Sequence, residues 1–279
     1  MAEQIKPSDN LYIYYFEGIV DPEGIQFSNT PNFLGNWIEQ DSSFLFFSRP
    51  ADKLVKTTLL KNKNIEFMER YEMTYAQWHG DKIKPYVIED ILISPPWEKP
   101  LMNSTDQKHL ILDPGVVFGT GKHTTTEECF SMLKRLLKTN KKLRVMDIGS
   151  GTGLLSVGAV MLGAETVLAC DFNFLAAETT LKNVQLNFCE EKILVARARG
   201  EEFINLNAHV VVANIHFDVM KDIIEQKGFL TKKWFILSGL LRTQAKIILK
   251  SLVKKPVKII EHTCPDGIWN TILGKCIDL

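Results

Sequence analysis

The chain has 279 residues, 45% of them hydrophobic and 24% charged, enough to bury one large core or an ordinary core beside a smaller domain. Its 33 basic and 33 acidic residues leave a formal net charge of zero, which argues against a protein built to coat nucleic acid, because phosphate binding relies on a cationic surplus. An apolar run of about eighteen residues, the length a membrane span needs, is absent, and the polar first ten residues lack a leader pattern, so a cytoplasmic protein with no membrane association is expected.

From the N-terminus, residues 11–20 (LYIYYFEGIV) are rich in aromatic and β-branched side chains and predict a strand, and residues 43–48 (SFLFFS) predict a second, with a proline-containing stretch over 21–31 between them. Residues 51–60 predict a helix, because Leu54, Val55, Thr58 and Leu59 fall at helical spacing. Residues 1–72 therefore read as a small α+β domain. Residues 1–90 hold nine basic and fourteen acidic residues, which suits either a basic protein substrate or an ordinary solvated acidic face. Pro85, Pro95, Pro96 and Pro100 stop helices and favour extended backbone, placing a linker over 73–104.

Over 105–279, apolar β-branched runs alternate with amphipathic stretches: 143–148, 154–161, 166–171, 175–187, 193–197, 209–214, 219–226 and 234–237. This alternation predicts an α/β fold with a mostly parallel sheet covered by helices on both faces. Residues 258–260 and 269–274, separated by Pro265-Asp266-Gly267, predict a closing antiparallel hairpin. The five cysteines (Cys129, Cys170, Cys189, Cys264 and Cys276) form no C-x-x-C pair and have no histidine at ligand spacing, so neither a metal site nor a disulfide framework is expected.

The stretch Val145-Met146-Asp147-Ile148-Gly149-Ser150-Gly151-Thr152-Gly153 reads as a strand entering a glycine-rich turn and then a helix. Glycines at alternate positions permit a tight turn and a close approach of ligand to backbone. The next predicted strand ends in Asp171, where such folds place a carboxylate to accept from the hydroxyls of a ribose. The dinucleotide fingerprint is G-x-G-x-x-G, whereas here the glycines run G-x-G-x-G and Leu154 follows. Asp147 would repel a pyrophosphate but suits the cationic amino and sulfonium groups of S-adenosylmethionine, so a methyltransferase is favoured over a dehydrogenase.

A second glycine-rich stretch, from Gly115 to His123, fails as a phosphate loop. Five residues rather than four separate Gly115 from the Gly121-Lys122 pair, and His123 stands where Ser or Thr would reach a metal. Thr124, Thr125 and Thr126, followed by Glu127 and Glu128, predict a helix start with a hydroxyl cap, and the loop ahead of it is placed to fold over a cofactor. Asn214 ends a predicted strand, where its amide would orient an amine, contact a cofactor or close an Asx turn. His123 and His216 are candidate bases or merely structural.

Together these stretches resemble the ribosomal protein L11 methyltransferases. The resemblance rests on Ile93-Ser94-Pro95-Pro96-Trp97, the block from Leu112 to Thr126, Asp147 to Gly153, Asp171, and Val211-Val212-Ala213-Asn214-Ile215, and covers roughly residues 75–279. It implies a Rossmann-like catalytic domain joined to a small ferredoxin-like recognition domain, and no metal. It also implies methylation of lysine and terminal amines, with Thr126, Gly149, Asp171 and Asn214 contacting S-adenosylmethionine and Thr120 and Gly151 nearby. Ribosomal protein L11 is then the expected partner of a monomer that does not recognise nucleic acid. Because residues 1–70 match only loosely, a different protein substrate or a small molecule remains open, as does a cofactor-binding module without activity.

Overall fold

The structure, a computed structural model, describes residues 6–20, 30–39, 41–61, 64–80, 84–98, 108–117 and 119–277, the side chains of 58–61 excepted. Two compact units are present, residues 1–84 with 173–175, and residues 85–172 with 176–279.

The first unit contains β1 (Asn10–Glu17), β2 (Phe33–Glu39), β3 (Ser42–Phe47), α1 (Asp52–Lys61), β4 (Glu66–Thr74) and the one-turn α2 (Tyr75–Trp78). Its sheet is antiparallel throughout, in the order β2-β3-β1-β4. The aromatic run of β1 explains the core: Tyr14 and Phe16 are buried with Leu45 and Phe47 of β3 and with Ala51 and Val55 at the start of α1. The Tyr14 hydroxyl accepts from the Ala51 N–H at 2.8 Å and donates to Asp52 at 3.2 Å, which ties the strand to the helix start. The strand order is that of a ferredoxin-like sheet, with α1 joining β3 to β4. The proline-containing stretch between the first two strands lies mostly outside the described residues, as do the side chains of Thr58 and Leu59.

In the second unit β5 (Tyr86–Ile88), β6 (Ile91–Ser94) and β7 (Lys108–Ile111) form a small sheet; α3 (Thr124–Thr139) follows. Next come β8 (Arg144–Ile148), α4 (Leu154–Met161), β9 (Thr166–Asp171), α5 (Phe174–Leu186), β10 (Ile193–Arg197), α6 (Gly200–Phe203), β11 (Val210–Asn214), α7 (Phe217–Glu225) and α8 (Lys227–Leu230). The unit ends with β12 (Trp234–Leu241), α9 (Arg242–Leu252), β13 (Val257–Thr263) and β14 (Trp269–Cys276). The main sheet runs β10-β9-β8-β11-β12-β14-β13, parallel from β10 to β12 and antiparallel at β14 and β13.

Strand alternation sorts the sheet's side chains into two cores. Val145, Val167, Val210, Val212 and Ile236 face a layer with Phe130 and Leu133 of α3 and Leu154 and Val157 of α4. Met146, Ile148, Val211, Ala213 and Phe235 face Met220, Ile223 and Ile224 of α7 and Ala245 and Ile248 of α9. Of the stretch expected as a linker, residues 75–78 form α2, while β5 and β6 belong to the second unit, with Ile88, Ile91 and Ile93 buried in the first of those cores. Residues 99–104 lie outside the described residues.

Among the described residues no helix is long and apolar enough to cross a membrane, and no group of three or more His, Cys, Asp or Glu is placed to hold a metal ion. All five cysteines are free thiols.

Candidate functional site

Strand order reverses at β8, with β9 and β10 on one side and β11 and β12 on the other, and the crevice of such a sheet lies at the carboxyl ends of the strands flanking that point. The glycine loop leaves β8 there. The N–H groups of Gly149 and Ser150 both donate to the Cys170 carbonyl of β9, at 2.8 and 3.0 Å, folding the loop toward the neighbouring strand. Gly149, Gly151 and Gly153 have φ of 76°, 55° and 80°, left-handed backbone that explains why glycine recurs at alternate positions. A Cβ on Gly149 would sit 2.2 Å from Ile215 Cγ2, just beyond β11. Gly153 caps α4 without a side-chain hydrogen bond.

Two carboxylates serve this loop from different sides. Asp171, at the end of β9, accepts from the Gly151 N–H at 3.0 Å. Asp147 is buried in β8, where one oxygen accepts from Ser156 of α4 at 2.6 Å and Oδ1 has no hydrogen-bond partner among the described residues. Burial pushes its carboxyl up to about 6, opposed by the Ser156 hydrogen bond and assisted by the charge of Asp171.

The segment from Asp113 to Gly121 is stitched to the glycine loop. Asn183 of α5 accepts from the Asp113 N–H at 2.7 Å and donates to the carbonyls of Asp113 and Thr152, at 2.7 and 2.8 Å. Thr152 donates to the Gly119 carbonyl at 2.6 Å, Thr180 donates to the Gly151 carbonyl at 3.0 Å, and the Tyr86 hydroxyl donates to the Thr120 carbonyl. Lys182 pairs with the buried Asp113 carboxylate at 2.7 Å.

At the start of α3 the expected hydroxyl cap is replaced by an imidazole: His123 is the N-cap residue, and its Nδ1 accepts from the Thr125 N–H at 3.3 Å. The ring reaches that orphan donor because His123 is extended, with φ −86° and ψ 135°, and it meets Trp269 edge to face at 5.2 Å. Asn214, at the end of β11, donates to the hydroxyls of Thr125 and Thr126, at 3.1 and 3.4 Å. His216 is largely exposed, caps α7 without a side-chain bond and lies 3.4 Å from Asp218.

Of the residues singled out from the sequence, Gly149, Gly151 and Asp171 thus form one cluster, and Thr126 and Asn214 another. The two adjoin where Gly149 packs against Ile215, next to Asn214. Thr120 stands in the glycine-rich segment, held through its carbonyl by Tyr86. Spacing does not single out Thr152, Ser156, Thr180 or Asn183, and only their residue types hint at a role: Thr152, Thr180 and Asn183 grip backbone remote in sequence, and Ser156 holds the buried Asp147 carboxylate. The arrangement provides backbone stripped of Cβ atoms, a carboxylate at a strand end, a buried carboxylate oxygen lacking a donor, and an amide. That set suits a ribose-bearing ligand with a cationic group better than a pyrophosphate.

Comparison with known proteins agrees. The sequence profile described as "Ribosomal protein L11 methyltransferase (PrmA)" matches residues 46–276. A ribosomal protein L11 methyltransferase of Carboxydothermus hydrogenoformans is 32% identical over 214 residues, 76% of this chain and 69% of that one. One from Oceanobacillus iheyensis is 30% identical over 247 residues (88% and 76%), and one from Lactococcus lactis subsp. lactis is 34% identical over 191 residues (68% and 59%). The chain thus spans only part of the length of these relatives. The crystal structure of a ribosomal protein L11 methylase from Lactobacillus delbrueckii subsp. bulgaricus shares the fold, with a TM-score of 0.61 and 24% identity over 70% of this chain and 100% of that one. With its matched profile extending across both the glycine loop and Asn214, this chain belongs to the ribosomal protein L11 methyltransferase family.

Proposed function

We propose that this protein transfers methyl groups from S-adenosylmethionine to lysine and terminal amines of ribosomal protein L11. The observation that carries the reading is the glycine loop bonded to Asp171 beside the Asn214–Thr126 pair, at the point where the strand order reverses. The residues fit the donor: Gly149, Gly151 and Gly153 offer bare left-handed backbone at the turn, and the buried Asp147 Oδ1, without a partner among the described residues, suits a positive charge. Asp171 and the Gly149 and Gly151 backbone hold the nucleoside, with Thr120, Thr126 and Asn214 around the transferred group. Bound there, S-adenosylmethionine supplies a methyl group activated on a sulfonium, which a neutral amine accepts.

The protein's own contribution is positioning and desolvation. A lysine amine has a pKa of about 10.4 in water, and an apolar setting disfavours its charged form, so the proton leaves without a dedicated strong base. Neutral net charge supports a protein rather than a nucleic-acid substrate, and we place the enzyme in the cytoplasm as a monomer, with the N-terminal unit as its recognition domain.

The test is incubation of purified protein with labelled S-adenosylmethionine and purified L11. Label on L11, lost in Asp171→Ala together with donor binding by calorimetry, is expected, and absence of donor binding by the unaltered protein overturns the reading. A second substrate reading is favoured by one finding: the family profile begins at residue 46, leaving most of β1 to β3 unmatched. Label on another protein of a whole extract, with L11 unlabelled, would support it.

A further inference from the structure

We infer that His123 is a positioning residue that sets which end of the Asn214 amide faces the reacting amine. A chain of hydrogen bonds reaches Asn214 from a backbone donor that cannot rotate. The Thr125 N–H is a donor only, so the His123 Nδ1 that receives it at 3.3 Å carries no proton. The same Nδ1 lies 2.8 Å from the Thr125 hydroxyl, which must then be the donor in that contact. With its proton committed, the hydroxyl meets the Asn214 side chain 3.1 Å away as an acceptor, and only the NH2 end of an amide can satisfy it. Asn214 Oδ1 is therefore turned the other way. It lies over Gly239, where a Cβ would come within 3.1 Å of it, and the φ of +82° there keeps that position free of side chains.

Building on the proposed function, this orientation has a chemical meaning. An amine reacts through its lone pair while keeping its N–H bonds. A carbonyl oxygen accepts one of those N–H groups and leaves the lone pair free, whereas an NH2 in the same place would donate to the lone pair and block it. Proton order thus passes from the Thr125 backbone through His123 and the Thr125 hydroxyl to Asn214. His123 acts through Thr125 and does not touch the substrate, and Trp269 of β14 braces its ring at 5.2 Å.

The experiment is made on the full-length protein. Nitrogen-15 and carbon-13 spectra of histidine-labelled protein, with the His123 signals assigned by their loss in His123→Asn, are expected to show Nδ1 unprotonated and Nε2 carrying the hydrogen. A neutral Nδ1–H tautomer overturns the inference whether or not methyl transfer is observed. In kinetics, His123→Ala and Thr125→Val should lower kcat on the order of 10²-fold, as a misplaced reacting group does. The dissociation constant for S-adenosylmethionine should stay within about threefold. His123→Asn, whose Oδ1 can replace Nδ1 as the helix cap but cannot be protonated, should recover most of the lost kcat. Thr125→Val separates the relay from the cap should His123→Ala fold poorly. Loss of donor binding in the unaltered protein would defeat the functional reading alone. Normal binding and transfer, with kcat unchanged in both His123→Ala and Thr125→Val, would defeat this one.

Discussion

Asp147 binds a proton more tightly when folded than a free aspartate does, and two measurable effects follow. Its carboxyl rises from 3.8 to about 6 on burial, so between those values the folded chain holds a proton that the unfolded chain has lost. Stability attributable to this group therefore falls as pH rises from about 4 to about 6 and is level above that. The Asp147→Asn variant is expected to lose this slope and, near neutral pH, to resist urea better by on the order of 2–3 kcal/mol, because Asn still accepts from Ser156. The same change should weaken S-adenosylmethionine binding at least tenfold, since the oxygen left for a cation is no longer charged. Urea titrations at several pH values and calorimetry check the two halves separately. The sequence marked Asp147 as a loop organiser; its depth and its bond to Ser156 depend on how α4 packs, which residue identity alone does not encode.

Among the elements, α5 and α4 hold the site in shape. Asn183 makes three hydrogen bonds to backbone of two loops, so Asn183→Ala leaves buried amide groups unmatched and should cost roughly 2–4 kcal/mol while loosening donor binding. Denaturant unfolding and a donor titration would show both. In α4, Gly158→Ala gains about 1 kcal/mol of helix propensity. Its Cβ would nevertheless lie 2.2 Å from the Phe130 ring, and overpacking of about 1–3 kcal/mol should win. Unfolding of Gly158→Ala at a lower urea midpoint is the expected result. The spans of α4, β9 and β10 agree with those expected from sequence because apolar runs there are bounded by glycine or polar residues. In contrast, β4 exposes residues on both faces and offers no alternation, β5 to β7 are three or four residues long in or beside a proline-rich stretch, and β12 runs past Leu237 through the irregularity at Ser238 and Gly239. The hydrogen-bonding residues of α5 act across about 30 to 70 positions, and spacing reveals nothing at that range.

Across the molecule, repeated βα alternation made the catalytic unit legible, while the small domain was visible mainly through the aromatic content of β1 and β3. Sequence order and spatial order differ at the end of the main sheet. The last strand, β14, is inserted between β12 and β13 and pairs with both. Truncation before Trp269 should therefore leave two unpaired edges and an aggregating product that binds no donor, although Gly149, Asp171 and Asn214 are all retained; centrifugation and calorimetry of any soluble fraction test this. A chain emerging during translation faces the same gap. It can assemble β8 to β12 early, yet the slot beside β12 stays open until β14 has cleared the ribosome, so methyl-transfer competence waits on that strand.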